Sequence, residues 1–193
     1  MDANGVRLHY VSQGTGPLIV VVHGFPEFWY AWRNQLAEFG RDYRAVAVDM
    51  RGYNLYITTF RTPQAEQILS ADNYARLAGV LGELFKSGQL TSADSVEYIK
   101  AWSQPGALTG ALNYYRAMPM GPPAAGAPIP NMNVMVPTLV IWGERDPYLL
   151  TGNLDGLEAY VPRLTVKRIP DATHWVVHER PAQVNSLIRD FVR

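Results

Sequence analysis

Apolar and polar positions fall into blocks that predict alternating strands and helices at both ends of the chain and helices alone in the middle. Val6–Gln13 (VRLHYVSQ) alternates with a period of two, the pattern of a half-buried strand, and Gly14-Thr15-Gly16-Pro17 turns the chain. Leu18-Ile19-Val20-Val21-Val22 is an unbroken apolar run rich in β-branched residues, which predicts a strand buried on both faces. Trp29, Trp32, Leu36 and Phe39 recur at three- and four-residue spacing, so 29–39 is expected to be an amphipathic helix. A second buried strand is expected over 44–50, stopped at Arg51-Gly52. Buried strand, helix, buried strand is the signature of a parallel unit with a right-handed crossover.

From Phe60 to about Met118 the pattern is helical, with stretches expected over 65–69, 72–85, 92–103 and 110–118. Ser70 and Thr91 stand where helix N-caps belong, each ahead of an acid-containing first turn. Residues 119–137 hold six prolines with Gly121 and Gly126 and read as a wrapping loop. Alternation then resumes: a buried strand over 138–142, a helix over 154–160, a strand over 164–169, and a closing helix over 182–191 with Val184, Leu187, Ile188 and Phe191 on one face. The expected organisation is an α/β core in two parts, 1–54 and 138–193, interrupted by a helical cap over 55–118 and the proline-rich connection over 119–137. A helical insertion rising from the C-terminal ends of parallel strands is a common way to cover a ligand site.

Composition narrows the function. The 193 residues are 48% hydrophobic and carry 17 basic against 17 acidic side chains, a formal net charge of zero. Such neutrality argues against a nucleic-acid partner, which calls for a basic stripe. With no cysteine and four histidines, neither disulfides nor a thiolate or multi-histidine metal site is expected. The longest apolar run, 18–22, is far short of the ~20 residues that span a bilayer, and the first residues have no secretory-signal character. These features predict a soluble, cytoplasmic protein without membrane contact.

Chemistry-bearing residues gather at the predicted strand ends, where open α/β sheets receive ligands. His23-Gly24-Phe25-Pro26 follows the first buried strand; a glycine beside the Phe25 N–H lets an oxygen approach that donor, as an oxyanion hole requires. An ordinary turn before a helix would read the same. Asp146, in Gly143-Glu144-Arg145-Asp146-Pro147, is placed either to orient a histidine or to cap the next helix. His174, after the last strand, is a candidate general base, or a histidine packed at a helix start.

The order Asp146…His174 follows the acid–histidine order of the α/β-hydrolase triad. More specifically, HGFPEFWYAWRNQL (23–36), VAVDMRGYN (46–54), YITTFRTP (56–63), ALNYYR (111–116), PTLVIWGERDPYL (137–149) and DATHWVVHERP (171–181) resemble the soluble epoxide hydrolases, α/β-hydrolases related to the haloalkane dehalogenases. That resemblance implies an α/β-hydrolase fold with a helical cap, no metal or organic cofactor, and a small apolar epoxide as substrate. It implies that Tyr56 and Tyr115 are the cap tyrosines that donate to the epoxide oxygen. Asp146 would orient His174, Phe25 would supply an oxyanion-hole N–H, and His23, Gly24, Pro26, Phe28 and Trp29 would line the pocket. Packing between helix and sheet would equally account for the tryptophans.

The family reaction also needs a carboxylate nucleophile on a Gly-x-Asp-x-Gly elbow, forming an ester that His174-activated water hydrolyses. Neither that motif nor Gly-x-Ser-x-Gly occurs in the sequence; the nearest stretches, 106–110 and 152–156, also lie outside a strand–turn–helix setting. The resemblance runs to Asn54 and resumes at Tyr56, two residues that span at most ~7 Å, so the nucleophile strand, its helix and the following strand have no room. The sheet is therefore expected to lack those two central strands, leaving the strands at 18–22 and 138–142 with open edges through which two copies could pair as a homodimer. Little or no epoxide hydrolysis is expected of this polypeptide alone. A non-catalytic ligand-binding remnant, or another hydrolase chemistry such as dehalogenation or ester cleavage, are the alternatives.

Overall fold

The apolar runs near the N-terminus assemble into a small sheet with one central strand. The computed structural model describes residues 2–3, 6–7, 9–49, 60–117 and 133–193, divided between two units, Met1–Met118 and Pro119–Arg193. In the first unit, β1 (Asp2–Ala3) and β2 (Val6–Arg7) form a short antiparallel pair. β3 (Tyr10–Gln13), β4 (Leu18–Val22) and β5 (Arg44–Val48) lie in the order β3-β5-β4. β5 is antiparallel to β3, with Tyr10 opposite Val48, and parallel to β4, with Val22 opposite Val48. The single strand expected over 6–13 is thus two: one half pairs with β1 and the other with β5.

Burial follows position in this sheet. Ala45, Val46, Ala47 and Val48 of central β5 are all buried. β4 is an edge strand, and Leu18, Val20 and Val22 on one of its faces are 63%, 54% and 51% exposed, which corrects the expectation of burial on both faces. Successive strand side chains point to opposite faces, so only Ile19 and Val21 turn inward. Between β4 and β5 the chain makes a 3₁₀ turn at Trp29–Trp32 and then α1 (Arg33–Phe39), whose buried Leu36 and Phe39 complete the crossover against β5.

The helical insertion consists of α2 (Ala65–Val80), α3 (Gly82–Lys86), α4 (Ser92–Trp102) and α5 (Ala107–Ala117). Thr91 caps α4 as expected: its hydroxyl accepts from the Asp94 N–H while the Asp94 carboxylate accepts from the Thr91 N–H, a reciprocal box. Ser70 does not cap the following segment. Its hydroxyl points back to the Gln67 carbonyl at 3.4 Å, and the chain leaves helical geometry at Ala71–Tyr74, with Asp72, Asn73 and Tyr74 at positive φ.

Arg116 fastens α5 to the start of α2 with two parallel bonds of 2.8 Å to Glu66 and a third to the Thr62 carbonyl. The Arg116 fork holds the Glu66 carboxyl well below its ordinary 4.5, at about 2. A carboxylate whose folded value is depressed stabilises the fold above its unfolded value and loses that effect as pH falls through the folded one. Glu66→Gln is therefore expected to cost about 1 kcal/mol at pH 7, the pair being partly solvent-screened, and progressively less between pH 4.5 and 2. Denaturant unfolding of both proteins at pH 7 and pH 3 checks this; an equal difference at the two values would refute it.

In the second unit β6 (Thr138–Gly143) and β7 (Leu164–Ile169) pair in parallel, from Thr138 opposite Leu164 to Gly143 opposite Ile169. The helix expected over 154–160 is instead two 3₁₀ turns, Thr151–Leu154 and Leu157–Ala159, separated where Gly156 takes a left-handed φ of 79°. α6 (Val176–Glu179) and α7 (Pro181–Val192) close the unit, with Val184 buried. The Asn54–Tyr56 junction and positions 119–132 of the proline-rich connection lie outside the described residues. Among the described residues no helix is long and apolar enough to cross a membrane. The four segments read from the sequence fall two to each unit.

Candidate functional site

Parallel pairing of β6 with β7 carries the loops after both strands to the same end of the sheet. Two backbone bonds extend the ladder beyond the strands, from the Glu144 N–H to the Ile169 carbonyl and from the Arg145 N–H to the Ala172 carbonyl. Gly143 is needed there: a Cβ would lie 2.2 Å from the Thr173 carbonyl oxygen and 2.7 Å from that of Ala172. The absent side chain lets the 172–173 turn lie against the end of β6, which brings His174 to Asp146.

The contact is specific. His174 Nδ1 lies 2.8 Å from Asp146 Oδ2, while Oδ1 of the same carboxylate accepts from the N–H groups of Tyr148 and Leu149 at 2.8 and 2.9 Å. Asp146 thus braces the 146–149 turn and holds the imidazole at once; no helix begins there, so the helix-cap alternative left open by the sequence falls away. With its side chain only 8% exposed, the carboxylate is shielded. The Thr173 N–H and hydroxyl both bond Glu179, fixing the turn from the other side, and the rings of Tyr148 and Trp175 stand edge-on to the imidazole at 5.2 and 5.0 Å. A carboxylate at Nδ1 directs the Nε2 lone pair outward, the tautomer a general base requires. Among the described residues none but Asp146 hydrogen-bonds His174.

The first unit has a cleft of about 800 Å³. The turn after β4 brings His23, Gly24, Phe25, Pro26, Phe28 and Trp29 to it together, and α4 and α5 add Trp102 and Leu108. Among the described residues no group accepts from the Phe25 N–H. Two bonds tie the turn to α4. Tyr98 donates to Glu27 at 2.6 Å, and the Trp102 indole donates to the Pro26 carbonyl at 2.8 Å. Burial, with the Glu27 carboxylate alongside, pushes the Tyr98 phenol up, so it remains a donor throughout the working pH range.

Tyr115 is buried on α5 rather than among the residues lining the cleft, its ring edge-on to Phe25 at 6.2 Å and Phe60 at 5.1 Å. Tyr56 lies outside the described residues. Asp146 and His174 belong to the second unit, and Tyr115 and the cleft to the first. Among the described residues no cluster of three or more His, Asp or Glu is placed to hold a metal ion. Sequence reading passed over one group on the cleft wall: His9, whose Nδ1 lies 2.6 Å from Asp49 Oδ2. The signal available for it was positional, since each residue sits one step beyond a strand.

Residues 64–181 match the family described as alpha/beta hydrolase fold. The chain is 28% identical to the AB hydrolase superfamily protein YfhM of Bacillus subtilis, over all of this chain and 96% of that protein. It is 28% identical to epoxide hydrolase 4 of Homo sapiens, over 98% of this chain and 76% of the relative. Among solved structures, the Bacillus megaterium epoxide hydrolase bound to an inhibitor superposes with a TM-score of 0.90 at 25% identity, covering 100% of this chain and 99% of the other. The alignment with the Bacillus subtilis protein takes 280 positions against 193 residues here, an excess of 87. Because it spans this chain end to end, that excess is internal.

Proposed function

The chain belongs to the α/β-hydrolase fold family, and from that premise we propose that it is an epoxide hydrolase-like protein that binds a small apolar epoxide but lacks the covalent half of the reaction. The reading is carried by the Asp146–His174 pair: one carboxylate oxygen is held by two backbone N–H groups and the other by Nδ1, an imidazole set to move protons through Nε2. In this reading His174 is the general base for water. The Phe25 N–H donates to developing negative charge and Tyr56 to the epoxide oxygen, whereas Tyr115, buried off the cleft, backs Phe25 and could reach the substrate only if its ring turned toward the cleft. Phe25, Phe28 and Trp29 supply the apolar wall of the cleft.

The internal excess of 87 aligned positions supports the absence of a nucleophile-bearing segment, with the junction assigned to Asn54–Tyr56. Without a carboxylate to attack the epoxide carbon, no ester forms, and His174 has none to hydrolyse. Binding is testable apart from turnover, because Trp29 and Trp102 line the cleft. Styrene oxide is expected to quench tryptophan fluorescence saturably, and Phe28→Ala to weaken that binding by about tenfold through lost apolar contact. A titration without saturation would overturn the proposal.

A further inference from the structure

The register of the N-terminal sheet places a second carboxylate–imidazole pair on the cleft. β5 lies between β3 and β4, with Val48 opposite both Tyr10 and Val22. One step further, Asp49 falls opposite His9 on one side and His23 on the other. The Asp49 N–H indeed continues the ladder to the His9 carbonyl at 3.1 Å. Asp49 Oδ2 lies 2.6 Å from His9 Nδ1 and Oδ1 accepts from the Trp29 N–H at 2.5 Å, with His23 Nε2 3.8 Å from Oδ1. Both carboxylate oxygens are engaged, so Asp49 is placed to orient the imidazole. His9, Asp49 and His23 all line the cleft, and the His9 side chain is 63% exposed.

The arrangement shares its plan with the Asp146–His174 one: an aspartate beyond the end of a strand, one oxygen bound by backbone N–H, the other on Nδ1. Nδ1 donating to Asp49 leaves the lone pair at His9 Nε2. We propose that His9 is a catalytic general base that adds water directly to an epoxide in this cleft, without an ester intermediate; the inference rests on the epoxide-binding reading above. Nε2 takes a proton from water as the water oxygen bonds to an epoxide carbon and the ring C–O bond breaks, its electron pair staying on the ring oxygen. That alkoxide takes a proton from solvent and the imidazolium returns one, so the sum is the addition of one water.

The test is slow diol formation from styrene oxide, with protein in excess, in ¹⁸O-labelled water. Direct attack places solvent oxygen in the first-turnover diol, whereas attack by a carboxylate would deliver a protein oxygen there. His9→Ala is expected to lower the rate at least tenfold, within the range of lost general-base catalysis. Styrene oxide should still quench tryptophan fluorescence, and added imidazole should restore the rate. Unlabelled first-turnover diol, a rate unchanged in His9→Ala, or no diol above buffer would each overturn the inference while leaving binding intact. Failure of styrene oxide to bind the unsubstituted protein would instead overturn the underlying reading, and the inference with it.

Discussion

Given styrene oxide, the purified protein is expected to form diol about 10⁶-fold more slowly than an epoxide hydrolase such as that of Bacillus megaterium, because loss of a triad nucleophile costs on that order in turnover. An oxyanion hole and substrate binding still accelerate a reaction over water when a triad member is gone, by roughly 10³–10⁴, which leaves a small rate to measure. Intact mass spectrometry during the reaction should find no protein carrying one substrate, since an ester requires an attacking carboxylate. The same spectrum reads the length of the chain. A mass above that of the 193-residue sequence, with peptides in which Asn54 and Tyr56 are parted by further residues, would place the internal stretch back in the protein and remove the basis of the expectation. A substrate adduct, or turnover within ~100-fold of the relative, would contradict it.

Tyr98→Ala should produce the largest loss of stability. The ring is fully buried, edge-on to Phe28 at 5.1 Å and tilted against Trp102 at 5.4 Å, and its hydroxyl holds Glu27 in the turn that walls the cleft. Truncating a buried aromatic costs ~3–5 kcal/mol, much of the ~5–15 kcal/mol that holds a fold, and the midpoint should fall on the order of 10 °C. Tyr98→Phe keeps the ring and removes one hydrogen bond to the Glu27 carboxylate, a cost of ~1.5–3 kcal/mol. Styrene oxide binding should weaken in both variants and be lost in Tyr98→Ala at temperatures where it unfolds. A midpoint for Tyr98→Ala within ~3 °C of the unsubstituted protein would show that the aromatic cluster does not secure the turn.

How far each feature could be read in advance depended on the range of the interaction behind it. The runs at 18–22, 44–48, 138–143 and 164–169 became strands because hydrophobic period is a local property. Thr91 was identifiable as a cap since its partner, Asp94, stands three residues away. Ser70 misled because a favourable cap residue competes with its own preceding turn, and Gly156 defeated the apolar spacing over 154–160 by taking a left-handed φ. Asp146 and His174 were recognisable by type and order, but their bond depends on the β6–β7 register and on Gly143 admitting the 172–173 turn.

By itself, then, the sequence determined most of the strands and cap helices and the kinship with the α/β hydrolases, and it singled out candidate residues for chemistry. Tertiary structure alone decided that β4 is an exposed edge, that Tyr115 packs into an aromatic core, and that Asp49 stands between two imidazoles. Periodicity is written into neighbouring residues. Edge position and register are set by pairing between segments distant along the chain, which no local pattern encodes.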